Sequence, residues 1–234
     1  MTLHDLAGNR ILRLLPQPDA EDLLEILEPV HLAFKEPIYS IRRPIDFVYF
    51  PLTSVISLVM DTEEGFTVEA GTVGREGMVG LAAFLGNSLS PWRTLCQISG
   101  AALRLPSREF TTRVSDHGKL TLILLRYTNA VVSQLAQTAA CNRAHPLEER
   151  MCRWLLMTRD RVDSDDFPLT QEFLGQMLGV RRPAVSLAGS ALQNAGLIRY
   201  SRGRVTVIDR AGLEAAACEC YRVVRDQFEE ALRI

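Results

Sequence analysis

The sequence predicts an α+β chain: an N-terminal antiparallel β-roll of the jelly-roll kind, a long dimerisation helix, and a C-terminal winged helix-turn-helix. Three observations predict it. Between about residues 30 and 110, short β-branched and aromatic runs are punctuated by glycine and proline. From about 107 to 145 the apolar period becomes helical. Residues 170–193 carry the spacing of two helices joined by a tight turn.

The elements follow in order. Residues 1–30 read as helical, on Leu3, Leu6, Ile11, Leu14 and Leu15, then Leu23, Leu24, Ile26 and Leu27; Pro16, Pro18 and Asp19 break the segment and start a second helix. The runs 47–50, 55–60, 66–70 and 95–98 read as strands, and Asp61 to Gly65 as a hairpin loop. Leu120, Leu124, Tyr127, Val131, Gln134, Thr138 and Cys141 fall at alternating steps of four and three, a heptad seam. The helix they define would span roughly 37 Å at about 1.5 Å per residue. Leu122, Ile123, Leu125, Val132 and Leu135 make its other surface apolar too. One side is therefore expected to cover the roll and the other a partner, with Leu120, Leu124, Tyr127, Val131, Gln134 and Thr138 as the dimer interface. Pro146 starts a further helix to Met157, because a missing N–H costs nothing in a first turn.

The segment with chemistry is Leu169 to Val185, LTQEFLGQMLGVRRPAV. Gly179 sits where a turn needs a left-handed backbone. Gly175 is small where the second helix must pack against the first, and Leu174, Leu178, Val180, Val185 and Ala188 are apolar at the inward positions. Thr170 caps the first helix and can donate to a phosphate. Arg181, Arg182 and Pro183 open the second helix, whose first residues face base edges in such motifs. Ser186, Leu187 and Ser190 project from the same side. Downstream, Arg199, Arg202 and Arg204 lie on a strand–turn–strand wing. Residues 169–208 hold five Arg and one Glu. This basic stretch marks double-stranded DNA as the expected partner.

Composition narrows the alternatives. The 234 residues are 47% hydrophobic and 23% charged, ordinary values that exclude a disordered chain. The formal charge of −2 excludes a wholly basic nucleic-acid coat. No apolar run approaches the roughly 18 residues of a membrane span, and Met1 to Pro16 lacks the apolar stretch of a signal peptide. A cytoplasmic chain is expected. Five scattered cysteines do not suggest a disulfide framework. Cys218 and Cys220 read as lying in one C-terminal helix, Ala211 to Leu232, where residues two apart do not share a face. No metal site is expected there; buried thiols are the default, with a redox pair as the minor reading. The glycines of Gly74 to Gly80 read as turns in the roll, and Trp92 and Trp154 as packing residues. No Gly-x-Ser-x-Gly, His-Glu-x-x-His or paired Cys–His signature suggests an enzyme.

On these motifs the chain resembles the Crp/Fnr family of transcription regulators (cyclic-AMP receptor protein-like) over nearly its whole length. LTQEFLGQMLGVRRPAV is similar to the family's helix-turn-helix, and ALQNAGLIRYSRGRVTVID to its helix-to-wing segment. The resemblance implies a cyclic-nucleotide-binding-like sensor roll over 1–118, a dimerisation helix and hinge over 119–145, and a winged DNA-binding domain over 146–234. It implies a homodimer on a two-fold symmetric operator, presenting or blocking RNA polymerase. Arg182 matches the family's arginine at the start of the reading helix, whereas Pro183 and Leu187 stand where the family has Glu and Arg. In the sensor, Gly80 is followed by Leu81 rather than Glu, and Arg93 with Thr94 is similar to the family's phosphate pair. Gly80, Arg93 and Thr94 are thus the candidate effector pocket, for an unidentified small molecule other than cyclic AMP. No cofactor is expected: the first cysteine, Cys96, comes too late for an N-terminal iron–sulfur cluster, and His31, His117 and His145 are isolated for haem. The alternative reading is a cyclic-nucleotide or other small-molecule-binding module whose winged helix mediates protein contacts.

Overall fold

The structure is a computed structural model describing residues 2–114 and 118–233, with the backbone alone for His4. His117 lies outside the described residues. The chain forms two compact units: Met1–Leu58, Thr72–Val132 and Gln227–Ile234; and Val59–Gly71 with Ser133–Asp226. These units cut the chain elsewhere than the expected boundaries at 118 and 145. The long helix is shared between them, the hairpin segment 59–71 groups with the C-terminal half, and the last residues group with the first unit.

The first unit begins with three short helices, α1 (Leu3–Leu6), α2 (Arg10–Arg13) and α3 (Gln17–Leu24). Asn9 separates the first two. Its side-chain oxygen accepts from the backbone N–H groups of Ile11 and Leu12, and its amide donates to the carbonyls of Pro51 at 2.9 Å and Gly77 at 2.8 Å. An Asn that satisfies backbone groups on both sides favours a cap over a continuous helix. Two sheets follow. Strands β1 (Glu28–Leu32), β7 (Gly100–Pro106) and β3 (Phe47–Pro51) pair in the order β1-β7-β3, both pairs antiparallel. Strands β2 (Pro37–Tyr39), β6 (Arg93–Ile98), β4 (Val55–Asp61) and β5 (Thr67–Val73) form the second, in the order β2-β6-β4-β5. Helices α4 (Leu81–Phe84) and α5 (Ser107–Val114) complete the roll. Its core is the apolar set Val48, Phe50, Val55, Ile56, Leu103, Leu105 and Phe110, all fully buried.

Helix α6 (Lys119–Ala144) is the long helix that the heptad predicts. The structure corrects which of its faces is free. Leu120, Leu124, Tyr127, Val131, Gln134 and Thr138, expected at the dimer interface, are all buried within the protomer. Tyr127 Oη donates to the Met78 carbonyl at 2.9 Å, and the Tyr127 ring packs on Phe228, 6.1 Å between centroids. Gln134 Oε1 accepts from Arg161 at 3.3 Å and Thr138 Oγ1 from Arg153 at 2.8 Å. Those polar residues sit in the inner stripe because buried guanidinium groups need acceptors. The exposed stripe is Leu122, Leu125, Asn129, Val132, Ala136 and Ala139, at steps of three and four. Leu122, Leu125 and Val132 are each more than half exposed, at 56%, 53% and 57%.

The second unit contains α7 (Leu147–Val162), β8 (Asp166–Pro168), α8 (Gln171–Leu178), α9 (Arg182–Asn194), β9 (Ile198–Ser201), β10 (Arg204–Val207), α10 (Arg210–Ala215) and most of α11 (Cys220–Ala231). The strands pair in the order β8-β10-β9; the charged stretch before Pro168 thus ends in a strand. Trp154 is more than a packing residue: its indole N–H donates to buried Glu69 Oε1 at 3.0 Å.

Gly77 is dictated by the approach of Tyr127, since a Cβ there would overlap the ring edge and hydroxyl. Gly77→Ala is expected to destabilise the protein by about 1–3 kcal/mol through overpacking. Gly118→Ala, where a Cβ meets nothing within 4 Å, should leave the urea midpoint almost unchanged. Equal midpoints for both variants would contradict this account of Gly77.

Candidate nucleic-acid interface

Helices α8 and α9 form the expected helix-turn-helix, and two glycines set its geometry. Gly179 ends α8 with φ 65°, the left-handed conformation that closes a helix without a Cβ penalty. At Gly175 a Cβ would lie 2.9 Å from the Val180 carbonyl and 3.6 Å from Val185 Cγ2. Only glycine lets the turn and the second helix come that close. Val185, Ala188 and Leu192 are buried, which fixes the inner side of α9. A guanidinium N–H of Arg150 on α7 donates to the Leu178 carbonyl, satisfying one of the last acceptors of α8.

The predicted reading residues are placed as follows. Thr170 is exposed and caps α8, its hydroxyl accepting from Phe173 N–H at 3.1 Å. Arg181 is the residue before α9 and Arg182 its first residue; both are exposed. Pro183 occupies the first turn, where it needs no donor. Ser186, Leu187 and Ser190 lie on the outer side of α9, Leu187 at 73% exposure, and the Ser190 hydroxyl turns back to donate to the Ser186 carbonyl at 2.9 Å.

The wing is a tight β9–β10 hairpin. Arg202 and Gly203 at its tip have φ 49° and 73°, the paired positive values of a two-residue turn whose twist matches the strands. It is tied to the reading helix by Tyr200 N–H donating to Gln193 Oε1 at 2.8 Å, and to the start of α8 by Leu169 N–H donating to the Gly203 carbonyl at 2.8 Å. Arg199 and Arg202 are exposed. Arg204, also expected to contact DNA, is exposed and pairs with Asp166 of β8: its Nε lies 2.9 Å from Oδ2. The Arg204 hydrogen bonds and that of Thr206 hold the Asp166 carboxyl below its ordinary range. The register places Arg204 opposite Pro168, two residues from Asp166, which brings the two charges together.

Of the three residues of the expected effector pocket, Gly80 lies at the start of α4 and Arg93 and Thr94 on β6. Gly80 (φ 104°) starts α4 beside the Tyr39 hydroxyl and Val48. Thr94 is fully buried on β6, paired with Tyr39, and Arg93 begins that strand. The cavity that includes Gly80 has a volume of only about 10 Å³; its lining of Leu58, Met78, Leu81, Trp92, Tyr127 and Val131, among others, includes neither Arg93 nor Thr94. That volume is far below the about 300 Å³ or more of an ordinary ligand pocket.

One cluster escaped the sequence reading. The expected continuous helix 211–232 is two helices, α10 and α11, with a break at 216–219 that leaves Cys218 in the link and Cys220 at the start of α11. The break places both sulfurs beside Cys141 and His145 of the α6 end. Cys218 and Cys220 are buried, as expected, and Cys141 and His145 stand beside them, which the sequence reading missed. The missed signal was Cys141-x-x-x-His145, a spacing that puts two ligands on one helix face. The hydrogen bond with Cys218, opposed by burial and aided by Arg153, pulls the Cys141 thiol down to about 5. That contact and burial push Cys218 up, and burial pushes Cys220 up.

Residues 149–216 match the family described as the Crp-like helix-turn-helix domain. No curated protein matches the chain in sequence. Among solved structures, FixK2 from Bradyrhizobium japonicum is similar with a TM-score of 0.71 at 15% identity, covering 82% of this chain and 98% of its own. CLP from Xanthomonas campestris, a c-di-GMP responsive global regulator, gives 0.66 at 13%, covering 83% and 100%. TTHB099, a transcriptional regulator of the CRP family from Thermus thermophilus, gives 0.64 at 22%, covering 80% and 96%.

The cap at Thr170 has a measurable weight apart from any contact with DNA. Thr170→Ala should lower stability by about 1 kcal/mol, while Thr170→Gly loses only a few tenths. Thermal unfolding without DNA reads this difference, and identical midpoints for Thr170→Ala and the parent would remove the capping role.

Proposed function

From a chain that carries a Crp-like helix-turn-helix domain in the Crp/Fnr fold, we propose a sequence-specific DNA-binding transcription regulator that acts as a homodimer on a two-fold symmetric operator. The observation that carries this reading is the exposure of Arg181 and Arg182 at the N-terminal end of α9, on a two-helix unit locked by Gly175 and Gly179. Arg182 forks onto a guanine edge, worth about 1–3 kcal/mol of discrimination. Leu187 meets a thymine methyl. Thr170, Arg181, Ser186, Ser190, Arg199 and Arg202 position the protein on phosphates. Arg204 acts through its ion pair with Asp166, as a brace for the wing.

Dimerisation uses the outer stripe of α6. Leu122, Leu125, Asn129, Val132, Ala136 and Ala139 repeat at heptad spacing and are exposed on one protomer. Such a stripe pairs with its own copy, and a polar Asn within the seam sets register at some cost in stability. Two reading helices about 34 Å apart then address successive major grooves. The regulator works in the cytoplasm, presenting RNA polymerase to a promoter or blocking it. The roll serves as a scaffold without a cyclic-AMP pocket, a reading supported by its filled interior and by Leu81 after Gly80.

Binding to mixed-sequence duplex should weaken steeply with salt, as counterions return to the phosphates. Arg182→Ala should lose about 1–3 kcal/mol on the selected operator and relax its sequence preference, while Arg202→Ala weakens all duplexes alike. Uniform losses in both would overturn the role of Arg182, and no binding at low salt would favour a winged helix that contacts protein.

Leu125→Glu should shift the protein to monomer in analytical ultracentrifugation and abolish operator binding. A dimer that survives both Leu125→Glu and Val132→Glu is not built on this stripe.

Cyclic AMP should leave the melting temperature unmoved. A ligand at 100 times its Kd would add about 2.7 kcal/mol, which a thermal melt detects, so stabilisation by cyclic AMP would refute the scaffold reading.

A further inference from the structure

The strongest unassigned chemistry lies away from the reading helix, where α6 ends and α11 begins. Cys141, His145, Cys218 and Cys220 each offer one ligand atom, and these four atoms all lie within 4.8 Å of one another. Cys141 Sγ is 3.5 Å from Cys218 Sγ, and Cys220 Sγ is 3.5 Å from His145 Nδ1. In a tetrahedral zinc site, with Zn–S about 2.3 Å and Zn–N about 2.0 Å, neighbouring ligand atoms stand about 3.6–3.8 Å apart. Two of the pairs thus already stand close to ligand spacing, and the other separations exceed it by no more than about 1 Å.

We propose that Cys141, His145 Nδ1, Cys218 and Cys220 form a closed tetrahedral site for one Zn²⁺ ion.

Independent features of the surroundings agree. His145 Nε2 lies 3.3 Å from Glu219 Oε2. That contact commits the Nε2 proton to the carboxylate and leaves Nδ1 as the lone pair facing the sulfurs, the arrangement that orients and strengthens a histidine ligand. Gln137 Nε2 donates to Cys220 Sγ at 3.0 Å, a bond that favours the thiolate. Three thiolates, a neutral imidazole and Zn²⁺ sum to a single negative charge. The fields of Arg153 and Arg150 act on Cys141, and the buried Nε atoms of both have no hydrogen-bond partner among the described residues. Uncompensated cationic groups beside three buried sulfurs fit a centre that carries net negative charge.

Four protein ligands leave no open position, so the ion acts in structure and not in catalysis. Each sulfur that is still protonated gives its proton to water as its bond to the ion forms. The ion ties the last turn of α6 to the α10–α11 link, fastening the winged helix to the end of the helix that precedes it. The break between α10 and α11 at 216–219 then has a purpose: it turns Cys218 and Cys220 toward one point.

The test uses full-length protein, reduced, stripped with a chelator and reloaded with Zn²⁺ alone or Co²⁺ alone. One zinc per chain should survive gel filtration, with a higher melting temperature than the stripped protein. Co²⁺ should give the intense visible bands and sulfur charge transfer of a tetrahedral thiolate site. Removing a ligand in Cys141→Ser or His145→Ala should weaken zinc binding by about 100-fold or more, and Glu219→Gln by about 10-fold. Cys96→Ser should leave it unchanged. The parent protein's cobalt spectrum needs no variant to fold. Octahedral cobalt, zinc lost on gel filtration, or zinc retained undiminished by the Cys141→Ser, His145→Ala double variant would each overturn the site. So would a Cys141–Cys218 disulfide whose reduction does not restore zinc binding, which would identify a redox pair instead. Because every readout is taken without DNA, failure here is distinct from failure of the operator-binding reading.

Discussion

The two-sidedness of α6 governs the rest of the chain. Its inner stripe is committed within the protomer: Tyr127 bonds to the Met78 carbonyl, and Gln134 and Thr138 serve as acceptors for the buried guanidinium groups of Arg161 and Arg153. Burial of that stripe leaves Leu122, Leu125 and Val132 as the exposed large apolar side chains of the helix among its described residues. In the proposed homodimer that surface meets its own copy, so the inward contacts of the helix decide which stripe is left for pairing. The same commitment places Cys141 and His145 at the helix end, where the link to α11 arrives.

Backbone geometry, more than side-chain chemistry, makes the reading unit rigid. Gly175 and Gly179 permit an approach and a turn that a Cβ would oppose, and the wing is locked to α9 by Tyr200 and Gln193. Rigidity matters because groove recognition depends on arginine forks arriving in a fixed orientation. Exposed arginines on a floppy hairpin would contribute charge alone. Asp166 pairs with exposed Arg204 and braces β10 on β8, so part of the positive charge of the stretch is balanced locally.

Local rules read much of this chain correctly. The glycine positions in the helix-turn-helix, the cap at Thr170, the hairpin turn at Arg202 and Gly203, and the strands of the roll all follow from requirements that act over a few residues. Other readings failed where distant residues decided. Asn9 splits the N-terminal helix because the Pro51 and Gly77 carbonyls await its amide.

By itself the sequence determined that α6 exists, that it carries a heptad repeat, and that a winged helix-turn-helix follows; each is a matter of local period and turn chemistry. Two stripes of α6 carry that repeat equally well, and a period has no direction. Only packing chose which stripe is buried, because Gly77 admits the ring of Tyr127 and α7 supplies the arginines. Likewise a Cys-x-Cys and a Cys-x-x-x-His some 70 residues apart are separate patterns along the chain. The tertiary fold made them one cluster, since a break of a few residues before α11 is what turns their sulfurs toward a common centre.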